Sequence, residues 1–366
     1  MQSKRKLPLY SIRIEEKNVK ALNKDVSSDR PVPANLSISN SRIDKMKIMI
    51  SYRGAHIRKL PKKSYQCTYV KPDMFSGEKE FHLNAEYIDH SFIRNKLSFH
   101  FFQMIGCLAP EANHILLEIN DEFQGIYLRL ESVDRYFLKQ KGLPDGAIYY
   151  AENDDANFSL ISPIDNDVKD SFDSGYSRKY GTKEDDEKLK QFIYKINTVP
   201  QAQFGKEIIK HVNVDKYLRW LAGVVCTQNF DGFIHNYALY YPRETGLFEL
   251  IPWDYDATWG RDIHGRMLAY DYIPIEGYNT LTARILDVPA FRKQYKMLMR
   301  KILNHQFTLE QLMPVINMMY DQLRPYVDQD PYKGKYSGRF EKERHVISQY
   351  IKQRNRYLKQ HLLELD

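Results

Sequence analysis

Two hydrophobic periodicities, segregated along the chain, constrain the fold more than any other feature. In KMKIMISYRG (Lys45–Gly54) and KKSYQCTYV (Lys62–Val70) apolar and polar residues alternate, as half-buried strands require. SFIRNKLSFHFFQMI (Ser91–Ile105) switches to helical spacing through Ile93, Leu97, Phe101 and Ile105, with Ser91 as the expected N-cap. HILLEIND and FQGIYLRLESV follow as strands of a hairpin that turns at Asn120–Phe123. After about Ser132 the helical period takes over, in DEKLKQFIYKIN and in VDKYLRWLAGVVCTQ with Asp215 as its expected cap. The last ninety residues, through FRKQYKMLMRKIL to VISQYIKQRNRYLKQHLLEL, are expected to be wholly helical. A β-rich first part before a larger helical part predicts a bilobal α+β protein, and 366 residues suffice for two cores. The expected lobes are residues 1–131 and 132–366.

Composition excludes little beyond this. Hydrophobic residues make up 43% and charged residues 28%, which is ordinary for a globular protein in water. The net charge of +7 permits nucleic-acid or membrane contact without arguing for either. No apolar run approaches the ~18 residues of a spanning helix, and MQSKRKLPLYSIRI lacks the apolar core of a signal peptide. Cys67, Cys107 and Cys226 are widely spaced and form no CxxC pair, so neither a disulfide framework nor a zinc site is expected, and the compartment should be intracellular. The charge is uneven. Residues 152–187, expected as a loop, hold eleven Asp/Glu against four Lys/Arg, a net −7 that leaves +14 on the rest of the chain.

The chemistry is concentrated in Asn229–Asp262, NFDGFIHNYALYYPRETGLFELIPWDYDATWGRD. It starts where a helix should end. HNYALYY and GLFELIPW then form two short strands joined by PRETG, and the second delivers Asp254 and Asp256 at its end. Helix, loop with Asp231 and Asn236, β-hairpin, then a strand-end carboxylate is the order of parts in a phosphoryl-transfer site. There one carboxylate accepts the acceptor hydroxyl's proton, while an amide oxygen and a second carboxylate hold Mg²⁺ on the phosphates. The Asp-x₄-Asn spacing of Asp231 and Asn236 matches a kinase catalytic loop, though alone it also suits an ordinary turn. Asp256 is either a further metal ligand or a turn cap with Thr258.

Two rival readings start from the same residues. LFELIPWDYDAT matches the strand-DxDxT signature of phosphatases with a phosphorylated aspartate, a fold that needs further parallel strands. Only 112 residues follow Asp254, and their pattern is helical. His235 and His264 flank the carboxylates, as ligands of a transition-metal site would, yet lie 29 residues apart with no shared helical face, which argues for ordinary polar side chains.

In the first lobe YRGAHIRKLPKKSY runs from one strand through a basic loop into the next. Lys63, at the expected start of that strand, is placed to reach nucleotide phosphates, and Arg58 and Arg53 to add guanidinium contacts. The alternative is a solvated basic edge. No GxGxxG loop is present, so side chains would replace backbone amides around the phosphates. Glu86 is a candidate ion-pair partner of Lys63. Glu131, at the end of GIYLRLE, stands where a hinge would meet adenine, or is simply a surface carboxylate.

Together YRGAHIRKLPKKSY, FIRNKLS, GIYLRLESVD, NFDGFIHNYALY, IPWDYDATWGRD and ISQYIKQRNRYL resemble the CotH family of spore coat kinases over essentially the whole chain. The resemblance implies a degenerate, atypical protein-kinase-like fold that uses ATP with Mg²⁺, Mn²⁺ being an alternative. It implies transfer to Ser, with Thr as a further acceptor, of basic Ser/Lys/Arg-rich coat proteins, with no nucleic-acid or membrane partner. It places the protein in the mother-cell cytoplasm and then the spore coat. It assigns Asp231 as catalytic base, Asn236 and Asp254 as metal ligands and Lys63 as the phosphate-binding lysine. Departures from ordinary kinases are Phe230 where an HRD arginine would precede the base, and Tyr255-Asp256 where Phe-Gly would follow the metal Asp. Control by activation-loop phosphorylation is therefore not expected. The alternative of another class is a non-catalytic coat scaffold, a pseudokinase.

Overall fold

The computed structural model describes residues 6–39, 45–54, 56–70 and 77–366, so Ala55 of the YRGAHIRKLPKKSY motif and the first five residues of the N-terminal stretch fall outside it. The chain divides into two compact units. One takes the residues up to Lys96, Glu111–Ser132 and Pro314–His345; the other takes Leu97–Pro110, Val133–Met313 and Val346–Asp366. The polypeptide thus passes between units at five points.

In the first unit the alternating segments close a seven-stranded barrel. Its strands are β1 (Leu9–Arg13), β2 (Val32–Ile38), β3 (Met46–Tyr52), β4 (Tyr65–Tyr69), β5 (Glu80–Asn84), β6 (Ala112–Ile119) and β7 (Glu122–Glu131), in the order β1-β2-β3-β4-β5-β7-β6. β1 and β6 pair in parallel and close the barrel; the other pairings are antiparallel. The inward positions are apolar, with Leu36, Ile48, Ile50, Cys67, Phe81 and Leu83 fully buried. At the β6–β7 turn Asn120 (φ 50°) and Asp121 (φ 65°) are both left-handed, as a tight hairpin in a right-twisted sheet demands. Helix α1 (Glu16–Lys24) lies between β1 and β2 in sequence and buries Leu22.

The second unit contains a four-stranded antiparallel sheet of β8 (Gly146–Ala151), β9 (Tyr176–Tyr180), β10 (Tyr237–Pro242) and β11 (Glu249–Pro252), ordered β11-β10-β8-β9. The remaining helices of the chain are α2 (Arg94–Met104), α3 (Arg135–Gln140), α4 (Lys183–Thr198), α5 (Gln201–Ile208), α6 (Val214–Thr227), α7 (Thr280–Leu286), α8 (Pro289–His305), α9 (Leu309–Val327) and α10 (Ser337–Gln360). α6 is largely buried, with Asp215, Lys216 and Arg219 as its polar exceptions. Eleven of its fourteen residues are buried, and a Cβ on Gly223 would meet the Phe102 ring at 2.2 Å, so only glycine allows that approach. The three thiols are free and buried, and burial pushes Cys107 and Cys226 up to about 12. Among the described residues no helix is long and apolar enough to cross a membrane.

Three local expectations are corrected. α2 starts at Arg94 rather than beside Ser91, whose amide and hydroxyl are bound by the Asp89 carboxylate. α6 is capped by Asn213, whose side chain accepts from Lys216 N at 3.2 Å, while Asp215 lies within the first turn. Residues 152–187 are not all loop, because β9 pairs with β8 there and α4 begins at Lys183.

Candidate active site

The segment after α6 holds its backbone rigidly. The helix ends at Gln228 in the left-handed region (φ 57°), which turns the chain away. Asn229 uses both ends of its amide: Oδ1 accepts from Gly232 N at 3.1 Å and Nδ2 donates to Asp254 O at 3.2 Å. Asp231 opens a short 3₁₀ turn, and its carbonyl accepts from Ile234 N at 3.0 Å and His235 N at 2.8 Å. Asn236 Nδ2 donates to the same Asp254 carbonyl at 3.0 Å, and Asn236 O accepts from Trp253 N at 3.1 Å. The β10–β11 hairpin, with Tyr237 opposite Pro252, makes this meeting possible.

Asp254 lies at φ +58°, a left-handed conformation that costs a non-glycine residue about 1 kcal/mol or more. Two amides on one carbonyl hold it there. Its carboxylate has no hydrogen bond or ion pair among the described residues, and neither has Asn236 Oδ1. A strained backbone with a spare carboxylate and a spare amide oxygen is a hard-oxygen donor set, which suits Mg²⁺ shared with phosphates. Among the described residues no group of three or more His, Cys, Asp or Glu side chains could hold a metal ion by itself. Asp256 is half-buried in the following bend, where Thr258 Oγ1 donates to Tyr255 O at 2.7 Å.

The rival chemistries lose their footing. Among the described residues β11 pairs only within an antiparallel sheet, and no parallel strand flanks Asp254 as a DxDxT phosphatase requires. His235 Nδ1 lies 3.0 Å from Asp154 Oδ1, whereas His264 is exposed in a turn with its amide on Asp262.

The first unit treats its cations differently. Lys63 precedes β4 rather than starting it, and its Nζ donates to Arg58 O at 2.6 Å and Leu60 O at 2.8 Å. No contact joins it to Glu86, so the expected ion pair is absent: the short loop back to Leu60 captures the ammonium. Arg58 bonds Ser27 O at 2.8 Å and pairs with Asp29; Arg53 Nη1 donates to Asn84 Oδ1 at 2.6 Å. Glu86, left-handed at φ 46°, accepts from Asn95 Nδ2 at 3.3 Å. Glu131 is buried rather than on the surface, and accepts from Glu111 N at 2.9 Å.

Sequence reasoning passed over Lys62. It is fully buried, pairs with Asp330 at 2.8 Å, donates to Ile126 O at 2.6 Å and lies 4.6 Å from the centre of the Tyr127 ring. Burial lowers its pKa against the opposing pull of Asp330. A Cβ on Gly125 (φ +91°) would come 2.1 Å from Asp330 Oδ2, so glycine leaves the room this pair needs. Lys333 is buried nearby, donating to the Glu86 and Asp89 carbonyls at 2.5 Å each; desolvation, with Lys62 adding repulsion, lowers it to about 7. Asn229 was also passed over, since nothing in NFDG marks an amide that reaches twenty-five residues ahead.

The acidic stretch is partly committed to structure. Asp185 accepts from Thr182 N at 2.8 Å and pairs with Arg243 at 2.7 Å, and Asp186 pairs with Arg178 at 2.5 Å. Glu184 and Glu187 remain exposed, the latter 2.9 Å from Lys190.

Comparison with known proteins agrees with the sequence motifs. The family described as CotH kinase protein matches residues 50–358. The inner spore coat protein H of Bacillus subtilis (strain 168) is 54% identical over 362 residues, covering 99% of both chains. The inner spore coat protein H-like protein of the same organism is 29% identical over 310 residues, 83% of this chain and 87% of that one. Among solved structures, a chain of the Shewanella oneidensis HipA, HipB and operator DNA complex gives a TM-score of 0.39 at 11% identity, over 96% of this chain and 74% of that one. The Helicobacter pylori proinflammatory kinase CtkA gives 0.25 at 8% identity, over 85% and 93%. The structural likenesses are too distant to carry an argument; the sequence match is not. The chain belongs to the CotH kinase family.

Proposed function

We propose that this protein is an ATP- and Mg²⁺-dependent protein kinase. It transfers the γ-phosphate to Ser, with Thr as a further acceptor, of basic Ser/Lys/Arg-rich spore coat proteins, and acts in the mother-cell cytoplasm and then in the coat. The observation that carries this reading is the Asp254 carbonyl clasped by Asn229 and Asn236, which leaves the Asp254 carboxylate and the Asn236 amide oxygen for a cation. Asp231 takes the acceptor hydroxyl's proton as general base. Asp254 and Asn236, with Asp256 beside them, hold Mg²⁺, or Mn²⁺ in its place; when bound, the ion neutralises charge on the β- and γ-phosphates. In the first unit Lys63, Arg58 and Arg53 contact phosphates by exchanging their present backbone and side-chain partners, and Glu131 meets the adenine. Glu86 shapes that region through Asn95 and through its carbonyl on Lys333.

The occupied ammonium of Lys63 favours the second reading, a pseudokinase scaffold that organises coat proteins without phosphotransfer. One experiment separates the two. Purified protein is incubated with γ-labelled ATP, Mg²⁺ and a Ser/Arg-rich peptide: label on peptide serine supports the kinase, and no label with intact peptide binding supports the scaffold.

A further inference from the structure

The last four carbonyls of α6 lie beyond the helix's own backbone ladder and need other donors, Thr227 Oγ1 reaching Val224 O at 3.4 Å from within the last turn. Val224 O accepts from Gln228 N at 2.9 Å, and Thr227 O from Trp259 N at 3.1 Å. The two between are taken by α10. Tyr350 OH donates to Cys226 O at 2.6 Å, and Arg354 donates to Val225 O through Nε at 3.1 Å and Nη2 at 2.7 Å. Tyr350 and Arg354 are four apart and share a helix face.

Arg354 is fully buried and has no carboxylate partner among the described residues. Its Nη1 donates instead to Tyr270 O at 2.9 Å and Ile273 O at 2.7 Å. A buried guanidinium without a counter-ion is costly. Here the carbonyl end of α6, the negative pole of its dipole, offsets part of that cost. The planar fork therefore joins two backbone stretches that flank the candidate site in sequence. One is the end of α6, which runs directly into the Asp231 turn. The other is the segment downstream of Asp254, which also meets that turn through Gln228 Nε2 to Ala269 O at 3.2 Å and Asn279 Nδ2 to Phe233 O at 3.1 Å.

We propose that Arg354, with Tyr350, is a positioning clamp that holds the Asp231 turn and the segment after Asp254 in place permanently. Many kinases order the equivalent segment by pairing arginine with a phosphate added to it. This chain uses arginine on main-chain carbonyls, so no phosphate on Thr258, Tyr270, Tyr272 or Tyr278 is required. The catalytic consequence rests on the kinase reading above; the clamp itself does not.

The test is Arg354→Lys, which keeps the charge and loses the fork, in the full-length protein. Phosphotransfer kcat should fall about tenfold to a hundredfold, the scale of a small misplacement of reacting groups, with KM for ATP nearly unchanged. Amide exchange should quicken at Leu268, Tyr272, Ile234 and His235. Arg354→Ala should regain turnover when guanidinium ion is added at millimolar level, and an equal concentration of urea should not restore it. Tyr350→Phe, which loses one hydrogen bond and keeps its ring against Trp259, should fold and show the same changes in smaller measure. Wild-type protein stripped by a phosphatase should retain full activity. A folded Arg354→Lys protein with wild-type kcat and wild-type exchange overturns the clamp, as does loss of activity on phosphatase treatment. If the wild type transfers no phosphate, the functional reading has failed, and amide exchange alone decides the clamp.

Discussion

The turn after α6 and the loop before β4 treat their polar groups in opposite ways. Around Asp254 the side-chain amides of Asn229 and Asn236 fix a backbone carbonyl, while the Asp254 carboxylate stays without a partner among the described residues. In the loop, the cationic side chains themselves are tied down: Lys63 to two carbonyls, Arg58 to Ser27 O and Asp29, Lys62 to Asp330. The first arrangement fixes geometry and leaves a carboxylate unengaged among the described residues. The second uses its chemistry to hold the chain. Charge near a site is therefore a weaker guide to function than which atoms of the charged residue are already occupied.

The contrast can be broken in order of expected effect. Asp231→Asn should lower phosphotransfer by about 10²–10⁴, the usual contribution of a general base. Nucleotide binding should survive, because in the proposed mechanism Asp231 acts on the acceptor hydroxyl and not on the nucleotide; initial rates and ATP titration of the same sample check both. Lys62→Met should instead act on stability, losing about 3–5 kcal/mol in urea unfolding because Asp330 is left buried and unpaired. A Lys62→Met protein of normal stability that fails to bind nucleotide would move this lysine from architecture to function.

A smaller effect concerns pH. Lys333 has a folded-state pKa of about 7, below its ordinary 10.5, so from pH 7 upward the unfolded chain holds more protons than the folded one. Folding stability should then rise with pH between about 7 and 10, by at most about 1.4 kcal/mol per unit. Lys333→Met should flatten that slope, as urea midpoints at pH 7, 8 and 9 will record. The smallest effect is expected from Glu184→Gln with Glu187→Gln, which spare the structural Asp185 and Asp186. KM for a Lys/Arg-rich peptide should rise a few-fold at low salt and converge on wild type as the Debye length shrinks to about 8 Å.

The elements with strong local periodicity were legible in the sequence: the strands at Met46–Tyr52 and Tyr65–Tyr69, the Asn120–Asp121 turn and the β10–β11 hairpin. The barrel was not, because its closing β1–β6 pair joins residues more than a hundred apart and leaves no local mark. The helix caps at Ser91 and Asp215 were misplaced by two residues, since Asp89 competes for Ser91 and Asn213 stands earlier than Asp215. Asp231, Asn236 and Asp254 could be singled out as candidates because loop, hairpin and strand end are sequential. Lys62 was passed over for Lys63, although in the fold Lys62 is the one buried against Asp330. Arg354 was invisible as well, since its partners are carbonyls that any residue supplies.

The central claim is that Asp254 is reserved for a cation bridging nucleotide phosphates, and Asp254→Ala tests it most directly. Mg-ATP binding by calorimetry and phosphotransfer to a Ser/Arg-rich peptide should be measured on one folded preparation. Both should vanish together, while the protein stays folded and its thermal stability falls only slightly, because alanine tolerates the left-handed backbone at position 254 less well than aspartate does. A variant that binds Mg-ATP as tightly as wild type and still labels the peptide contradicts the account.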